Sequence, residues 1–219
     1  GDGAFRPAAG RDRLPALHRR WLAWRHGGGE WAALFAAPPA DEVVSLDLET
    51  TGLDPAKDRI LRLAAVPVRG ARVVLSERFE RWVDPGRGFD IDSIRHHRIL
   101  PGDVADAADE PTVVREFLHW LGARPVLGYC VGFDIAMLDR SVRAIAGFPL
   151  PNRRIDLAGL DFERQRRTRP DAAQRRDLDA ILAAAGVPPL GRHDALGDAT
   201  STALAWCALR AGAPIDSRG

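Results

Sequence analysis

The chain has 219 residues, of which 46% are hydrophobic and 28% are charged, a balance typical of a folded domain with a sizeable core. The formal net charge of +1 gives by itself no argument for nucleic-acid binding, and no apolar run approaches the roughly 18 residues of a membrane span. Two cysteines, Cys130 and Cys207, cannot form a disulfide framework, and the first residues lack the apolar core of a secretion signal. We therefore expect a cytoplasmic protein without membrane contacts.

Residues 1–40 are predicted to form a helical extension of the main domain. Apolar residues recur at helical spacing on both sides of the glycine run at 27–29, and a pair of prolines ends the region. The extension is rich in tryptophan, with Trp21, Trp24 and Trp31. We expect these side chains to pack on the domain, or to bind a protein partner or a second copy of the chain.

The main domain, residues 41–212, is predicted to be α/β, with a short tail at 213–219. Its first part contains three strand-like runs, the second and third joined as an antiparallel hairpin, and its second part alternates strands with helices. This order indicates a mixed central sheet flanked by helices. The predicted strands are 43–49, 60–68, 72–82, 125–129 and 154–157, and the predicted helices are 112–122, 133–146, 177–185 and 194–210.

Two carboxylates lie two residues apart near the end of the first strand. Side chains alternate between the faces of a strand, so Asp47 and Glu49 share one face while Leu46 and Leu48 share the other. Carboxylates in an apolar strand are costly unless a positive charge lies between them, and Mg²⁺ or Mn²⁺ with oxygen ligands meets that requirement. The alternative is that both acids face solvent at the strand end.

Two further segments place acids at predicted helix starts. Asp134 lies where a strand leads into a helix, a position that a simple capping aspartate also occupies. Asp194 is predicted to cap the last helix. His193 and Asp198 converge only if His193 lies in the loop before that helix and Asp198 lies in its first turns. Gly191 allows the loop to bend.

Together these segments resemble the motifs of the DEDDh exonuclease superfamily, which includes the epsilon proofreading subunit of bacterial DNA polymerase III. The resemblance extends over about residues 43–211. The first motif, Asp-x-Glu-Thr-Thr-Gly-Leu, is matched from Asp47 to Leu53, the core of the second by Phe133-Asp134, and the third by His193 with Asp198-Ala199. The resemblance implies a ribonuclease H-like exonuclease fold and 3′–5′ exonucleolytic hydrolysis that releases nucleoside 5′-monophosphates.

The resemblance also implies roles for individual residues. Two divalent cations, Mg²⁺ or Mn²⁺, would generate hydroxide and stabilise the leaving oxygen, with His193 as the general base. Leu53 would pack against the last base of a single-stranded DNA or RNA 3′ end, the alternative being a buried strand-end residue. The implied metal ligands are Asp47, Glu49, Asp134 and Asp198, and the implied substrate contacts are Thr50, Thr51, Gly52, Leu53 and Phe133.

The sequence departs from the family pattern at two places. Tyr129-Cys130 stand where the second motif commonly has an asparagine, and His97, which we expect to be structural or to shape the substrate groove, lacks the usual following glycine. An arginine-rich segment between the second and third motifs either tracks the phosphate backbone or forms a solvated segment balanced by nearby acids. Its arginines are Arg164, Arg166, Arg167, Arg169, Arg175 and Arg176.

Two alternatives stay open at this level. The chain could be a catalytically weak nucleic-acid-binding or polymerase-associated subunit that retains the fold, although all four acids and the histidine are present. The substrate could be DNA or RNA, and the role proofreading, DNA repair or RNA processing, because no motif here specifies a contact with the 2′-hydroxyl.

Overall fold

The computed structural model describes residues 16–86, 99, 101–191 and 193–212. His97, the first 15 residues and the tail at 213–219 lie outside these ranges. In chain order the elements are α1 (Ala16–His26), α2 (Ala32–Phe35), β1 (Glu42–Thr50), β2 (Ile60–Arg69), β3 (Arg72–Val73), a 3₁₀ turn (Leu75–Glu77), β4 (Phe79–Trp82), α3 (Pro101–Val104), α4 (Glu110–Leu121), β5 (Val126–Gly128), α5 (Gly132–Ala146), β6 (Arg154–Asp156), α6 (Leu157–Thr168), a 3₁₀ turn (Pro170–Ala172), α7 (Leu178–Ala185) and α8 (Ala195–Arg210). None of the described helices is long and apolar enough to span a bilayer.

A mixed sheet organises the described part of the chain, with β1 at its centre. The strand order is β3-β2-β1-β5-β6, and β4 also pairs with β2. β1 runs antiparallel to β2 and parallel to β5, and β5 runs parallel to β6. The predicted mixed sheet is therefore confirmed. Because β1 and β5 are parallel, their carboxyl ends meet at one edge of the sheet, the edge at which open α/β sheets bind ligands.

Helices cover both faces of the sheet. On one face, Leu46 and Leu48 of β1 belong to a core cluster that includes Phe117 of α4 and Ile135 of α5. On the other face, a second cluster joins the sheet to α6, α7 and α8. The alternation predicted for β1 is therefore confirmed, and its acidic side chains lie on the face that α8 covers.

The predicted third strand is broken in the structure. Its start forms the expected hairpin with β2 through the left-handed Gly70, but a 3₁₀ turn at Leu75–Glu77 separates β3 from β4. The break lies opposite Pro67 of β2, whose carbonyl accepts a hydrogen bond from the Val74 N–H at 2.8 Å. Proline has no N–H to return to the facing strand, so the pairing ends there.

Helix α6 was not predicted from the sequence, which had placed only a short strand near residues 154–157. The Asp156 side chain caps this helix by accepting from the Ala158 N–H at 3.2 Å. Most of α6 is polar, and it buries Asp161 and Gln165 together with Leu157 and Ala158. Its core-facing side therefore lacks the apolar periodicity on which helix prediction depends.

The N-terminal helices contribute to the core of the domain. Leu22, Trp31 and Leu34 are buried in the same cluster as β1, α4 and α5. Trp24, in contrast, is 82% exposed, and Trp21 is half exposed. The boundary at residue 40, and binding of a protein partner or a second copy through this region, stay predictions.

Candidate active site

The acidic face of β1 points toward the start of α8. Ser45, on the same face as Asp47 and Glu49, donates a hydrogen bond to the Ala199 carbonyl of α8 at 2.7 Å. Asp198, the neighbour of Ala199, lies in the first turn of α8. The strand period and this buried hydrogen bond therefore bring the strand-end acids and Asp198 to one region.

Asp134 reaches the same region from the helix that follows the parallel strand β5. It lies in the first turn of α5 and is only 5% exposed. Burial raises its pKa to about 8, the negative charges of Asp156 and Glu49 add to this, and the backbone N–H groups of Asp134 and Leu48 act in the opposite direction. Asp134 is therefore held against the edge of β1.

The His193 segment has the geometry that convergence with Asp198 requires. Asp194 caps α8 by accepting from the Gly197 N–H at 3.0 Å, as predicted. His193 precedes the cap, is exposed and has a left-handed backbone with φ of 61°. Its N–H faces Asp198 Oδ2 at 3.3 Å. The loop bends at Gly191, whose φ is 58°.

Glu49 interacts electrostatically with acids from other elements. Burial raises its pKa to about 7, the charges of Asp198 and Asp194 add to the rise, and Arg62 opposes it. Asp134 also interacts electrostatically with Glu49. The structure thus brings Glu49 within electrostatic reach of both Asp134 and Asp198, with Asp47 on the same strand face.

The chemistry of these side chains fits hard divalent cations. All four are carboxylates, the ligand type that Mg²⁺ and Mn²⁺ prefer, and the raised pKa values of Glu49 and Asp134, caused first by burial and then by neighbouring acids, make their ionised forms costly without a cation. Within the described ranges, no three His, Cys, Asp or Glu side chains already form a ligand set for one ion.

The hydroxyl groups of Thr50 and Thr51 form hydrogen bonds within the loop after β1. The Thr50 hydroxyl donates to the Gly52 carbonyl at 2.7 Å, and the Thr51 hydroxyl donates to Asp58 and accepts from the Arg59 N–H, both at 3.0 Å. Both hydroxyl protons are thereby used within the loop. Leu53 is 72% exposed, so the alternative of a buried strand-end residue is wrong.

The second motif is built differently from the family pattern. Cys130 has a left-handed backbone, and its N–H donates to Asp156 at 2.9 Å. The Tyr129 hydroxyl donates to the Arg176 carbonyl at 3.2 Å, which ties the second motif to the arginine-rich segment. Phe133 packs against the core next to Asp134.

Several arginines of the arginine-rich segment are bound within the chain. Arg164 donates to the Leu209 carbonyl at 2.8 Å, Arg166 pairs with Glu163, and Arg176 lies 3.8 Å from the buried Asp161. These contacts favour a segment balanced by its own acids. Its first three arginines also belong to α6 rather than to a loop.

Sequence reasoning missed Arg62, which lies directly across from Glu49 in the β1–β2 pairing. Its guanidinium pairs with Asp194 and with Glu80 and lies over the Trp82 ring at 4.7 Å. A signal was present, because an arginine between Leu61 and Leu63 in an apolar strand needs a buried partner.

A family model described as an exonuclease, RNase_T, matches residues 44–205. This range contains the strand-end acids, Asp134, His193 and Asp198. The chain belongs to the RNase_T exonuclease family.

Polymerase-related proteins are similar to this RNase_T chain. It is 33% identical over 190 residues to a DNA polymerase III subunit epsilon-like protein of Rhodobacter capsulatus, a match that covers 83% of this chain and 25% of that protein. It is also 33% identical over 96 residues to the PolC-type DNA polymerase III of Bacillus subtilis, covering 44% of this chain and 6% of the polymerase. The chain thus spans a quarter or less of these relatives' length.

Solved exonuclease structures share the RNase_T chain's fold. Cell-death related nuclease 4 superimposes with a TM-score of 0.70 at 17% identity, covering 80% of this chain and 66% of that one. Escherichia coli exonuclease I in complex with a dA16 oligonucleotide gives 0.64 at 20% identity, covering 78% and 41%. The ribonuclease H-like exonuclease fold is therefore confirmed.

Proposed function

We propose that this chain is a divalent-metal-dependent 3′–5′ exonuclease that releases nucleoside 5′-monophosphates from single-stranded ends. The observation that carries the proposal is the position of Glu49, on β1, within electrostatic reach of Asp134 at the start of α5 and Asp198 at the start of α8. These acids come from separate parts of the chain, and their interactions with Glu49 support a shared site at the sheet edge where the parallel strands end. Membership in an exonuclease family supports the same conclusion.

Asp47, Glu49, Asp134 and Asp198 would hold the two cations, and Mg²⁺ or Mn²⁺ bound there would lower the pKa of water and stabilise the charge on the leaving oxygen. His193 would accept the proton of the attacking water. Its place in an exposed loop gives the imidazole access to solvent, and its backbone contact with Asp198 keeps it beside the acids.

Leu53 and the loop after β1 would receive the terminal nucleotide. The exposed Leu53 side chain offers an apolar surface on which an unpaired base can pack without recognising its identity. Thr50, Thr51 and Gly52 would act by shaping the loop backbone, since both hydroxyl protons are bonded within it. Phe133, which packs against the core, would hold the neighbouring Asp134 in position.

The deciding experiment measures the cleavage of a 5′-labelled single-stranded DNA in the presence of Mg²⁺, of Mn²⁺ or of excess chelator. We expect a ladder that shortens from the 3′ end and disappears with chelator. Asp134→Asn should lower the rate at least about 100-fold. The matched control is Asp171→Asn, which removes an exposed carboxylate from the 3₁₀ turn after α6 and should cleave like the wild type.

Tight binding of the labelled strand without cleavage in either metal would contradict the proposal and favour the binding-subunit alternative. DNA is the first substrate to test because the relatives are named as DNA polymerase III proteins and an exonuclease I structure holds a dA16 strand. A matched RNA strand in parallel decides between the two nucleic acids.

A further inference from the structure

Arg62 is a mostly buried cation next to the candidate active site. Its side chain is 14% exposed, and it emerges from β2 between the cross-strand neighbours Glu49 and Trp82. One terminal nitrogen pairs with Glu80 and the other with Asp194, while the guanidinium lies over Trp82. A planar, always charged group in such a setting holds one orientation.

The Asp194 contact reaches the loop that carries His193. One oxygen of Asp194 binds Arg62 and the other accepts from the Gly197 N–H at 3.0 Å. His193 is the adjacent residue, and its left-handed backbone is a conformation that a non-glycine residue holds only when its surroundings enforce it. A single carboxylate therefore joins the sheet, the helix start and the loop.

We propose that Arg62 is a positioning residue that fixes the His193 loop on the sheet through Asp194. The proposal rests on the proposed function, in which His193 accepts a proton. Without the ion pair, Asp194 can still cap α8, and the Ser45 hydrogen bond to Ala199 still holds the helix on β1, but the residue next to His193 loses its charged link to β2. The imidazole would then sample positions away from the reacting water, and displacement of a catalytic group by about 1 Å can cost on the order of 100-fold in rate.

The test compares Arg62→Gln, Asp194→Asn and the double variant. Asparagine still caps a helix, so Asp194→Asn removes the charge that Arg62 binds and preserves the cap. The control is Asp109→Asn, which changes the cap of α4, where the side chain accepts from the Thr112 N–H at 2.9 Å, in the same way.

We expect each single variant to lower kcat at least about tenfold while KM stays within about twofold of the wild type. The kcat of the double variant should be no more than about twofold below that of the less active single variant. The control should retain wild-type kcat. Both Arg62 and Asp194 also act on the pKa of Glu49, so a readout without metal is needed to separate loop positioning from an electrostatic effect on that acid. Unchanged kcat in the folded single variants, or losses that multiply in the double variant, would overturn the proposal.

Amide hydrogen exchange across residues 188–199, measured with chelator, gives a readout that needs no activity. Arg62→Gln and Asp194→Asn should both speed exchange there, whereas Asp109→Asn should not. If the wild-type protein cleaves nothing, the proposed function fails and exchange alone decides the role of Arg62. Faster exchange in both variants then supports the loop attachment, and unchanged exchange removes it.

Discussion

At the residue scale, the raised pKa of Glu49 links the pH of the solution to the stability of the metal-free protein. Burial and the charges of Asp198 and Asp194 raise its pKa to about 7, so folding without metal penalises its ionised form. An acid with a raised folded-state pKa stabilises the fold below its unfolded pKa and loses that contribution as the pH rises through the folded pKa. The free energy of unfolding of the metal-free protein should therefore fall between about pH 5 and pH 8, and the size of the fall should follow the size of the Glu49 pKa shift.

Glu49→Gln should raise Tm at pH 8 in chelator by about 2–10 °C because it removes a mostly buried charge that burial and the neighbouring acids disfavour. The gain should shrink toward pH 5, where folded-state Glu49 is protonated, and saturating Mg²⁺ should favour the wild type instead. Thermal unfolding at both pH values checks this. The exposed Glu163→Gln on α6 is the control, and a lower Tm for Glu49→Gln at pH 8 in chelator would refute the repulsion argument.

Substitution of His193 distinguishes a role in proton transfer from a role in metal binding. His193→Ala should lower kcat by about 100-fold or more because general-base catalysis is lost while the four carboxylates remain. Calorimetric titration with Mn²⁺ should give an affinity close to that of the wild type. A large loss of Mn²⁺ affinity would instead identify His193 as a ligand.

At the scale of elements, Gly197 permits the loop to close on α8. A Cβ at this position would collide with the carbonyl oxygens of Leu190 and Gly191. Gly197→Ala should therefore cost about 1–3 kcal/mol of unfolding free energy and at least about tenfold in kcat. Denaturant unfolding and initial rates measure both effects.

The matched control for Gly197→Ala is Gly159→Ala in α6, where the nearest atom to a new Cβ is Asp156 Oδ2 at an ordinary 3.6 Å. Alanine is the better helix former, so this variant should be at least as stable as the wild type. Equal stability of the two alanine variants would show that the loop does not require the close approach.

How far the elements could be predicted depended on how local their determinants are. The alternation of Leu46, Asp47, Leu48 and Glu49 is set by strand period alone, and the sequence placed these side chains on the faces where the structure has them. The broken third strand depended on Pro67 in a neighbouring strand, which was visible only once the register was known.

Arg62 and α6 were missed for a related reason. One partner of Arg62 is Asp194, 132 positions away, and no short-range spacing connects them. Helix α6 buries Asp161 and Gln165 against each other through a side-chain hydrogen bond of 2.7 Å, so polar residues occupy positions where an apolar stripe was expected. Hydrogen bonding that only the folded chain provides replaced the usual signal.

At the scale of the molecule, the N-terminal helices and the sheet share one core. Trp31 is 7% exposed and stacks on His119 of α4 with a centroid separation of 5.2 Å, whereas Trp24 is 82% exposed. Trp31→Ala should cost about 3–5 kcal/mol, while Trp24→Ala should stay within about 0.5 kcal/mol of the wild type.

Urea unfolding followed by circular dichroism measures both tryptophan variants. A single transition that shifts as a whole for Trp31→Ala would place α2 in the same cooperative unit as the sheet. A separate early transition for the N-terminal helices, with the main transition unmoved, would contradict the shared core.

The interruption at Pro67 also bears on how copies of the chain meet. It leaves the outer rim next to β2 as two short pieces, β3 with two residues and β4 with four, and the opposite rim is β6 with three. Amyloid-like growth and strand exchange need a long, flat, unsatisfied border as a template. We expect concentrated samples of the folded chain to resist that route of aggregation, because neither rim of the sheet, as far as the described residues form it, supplies such a template.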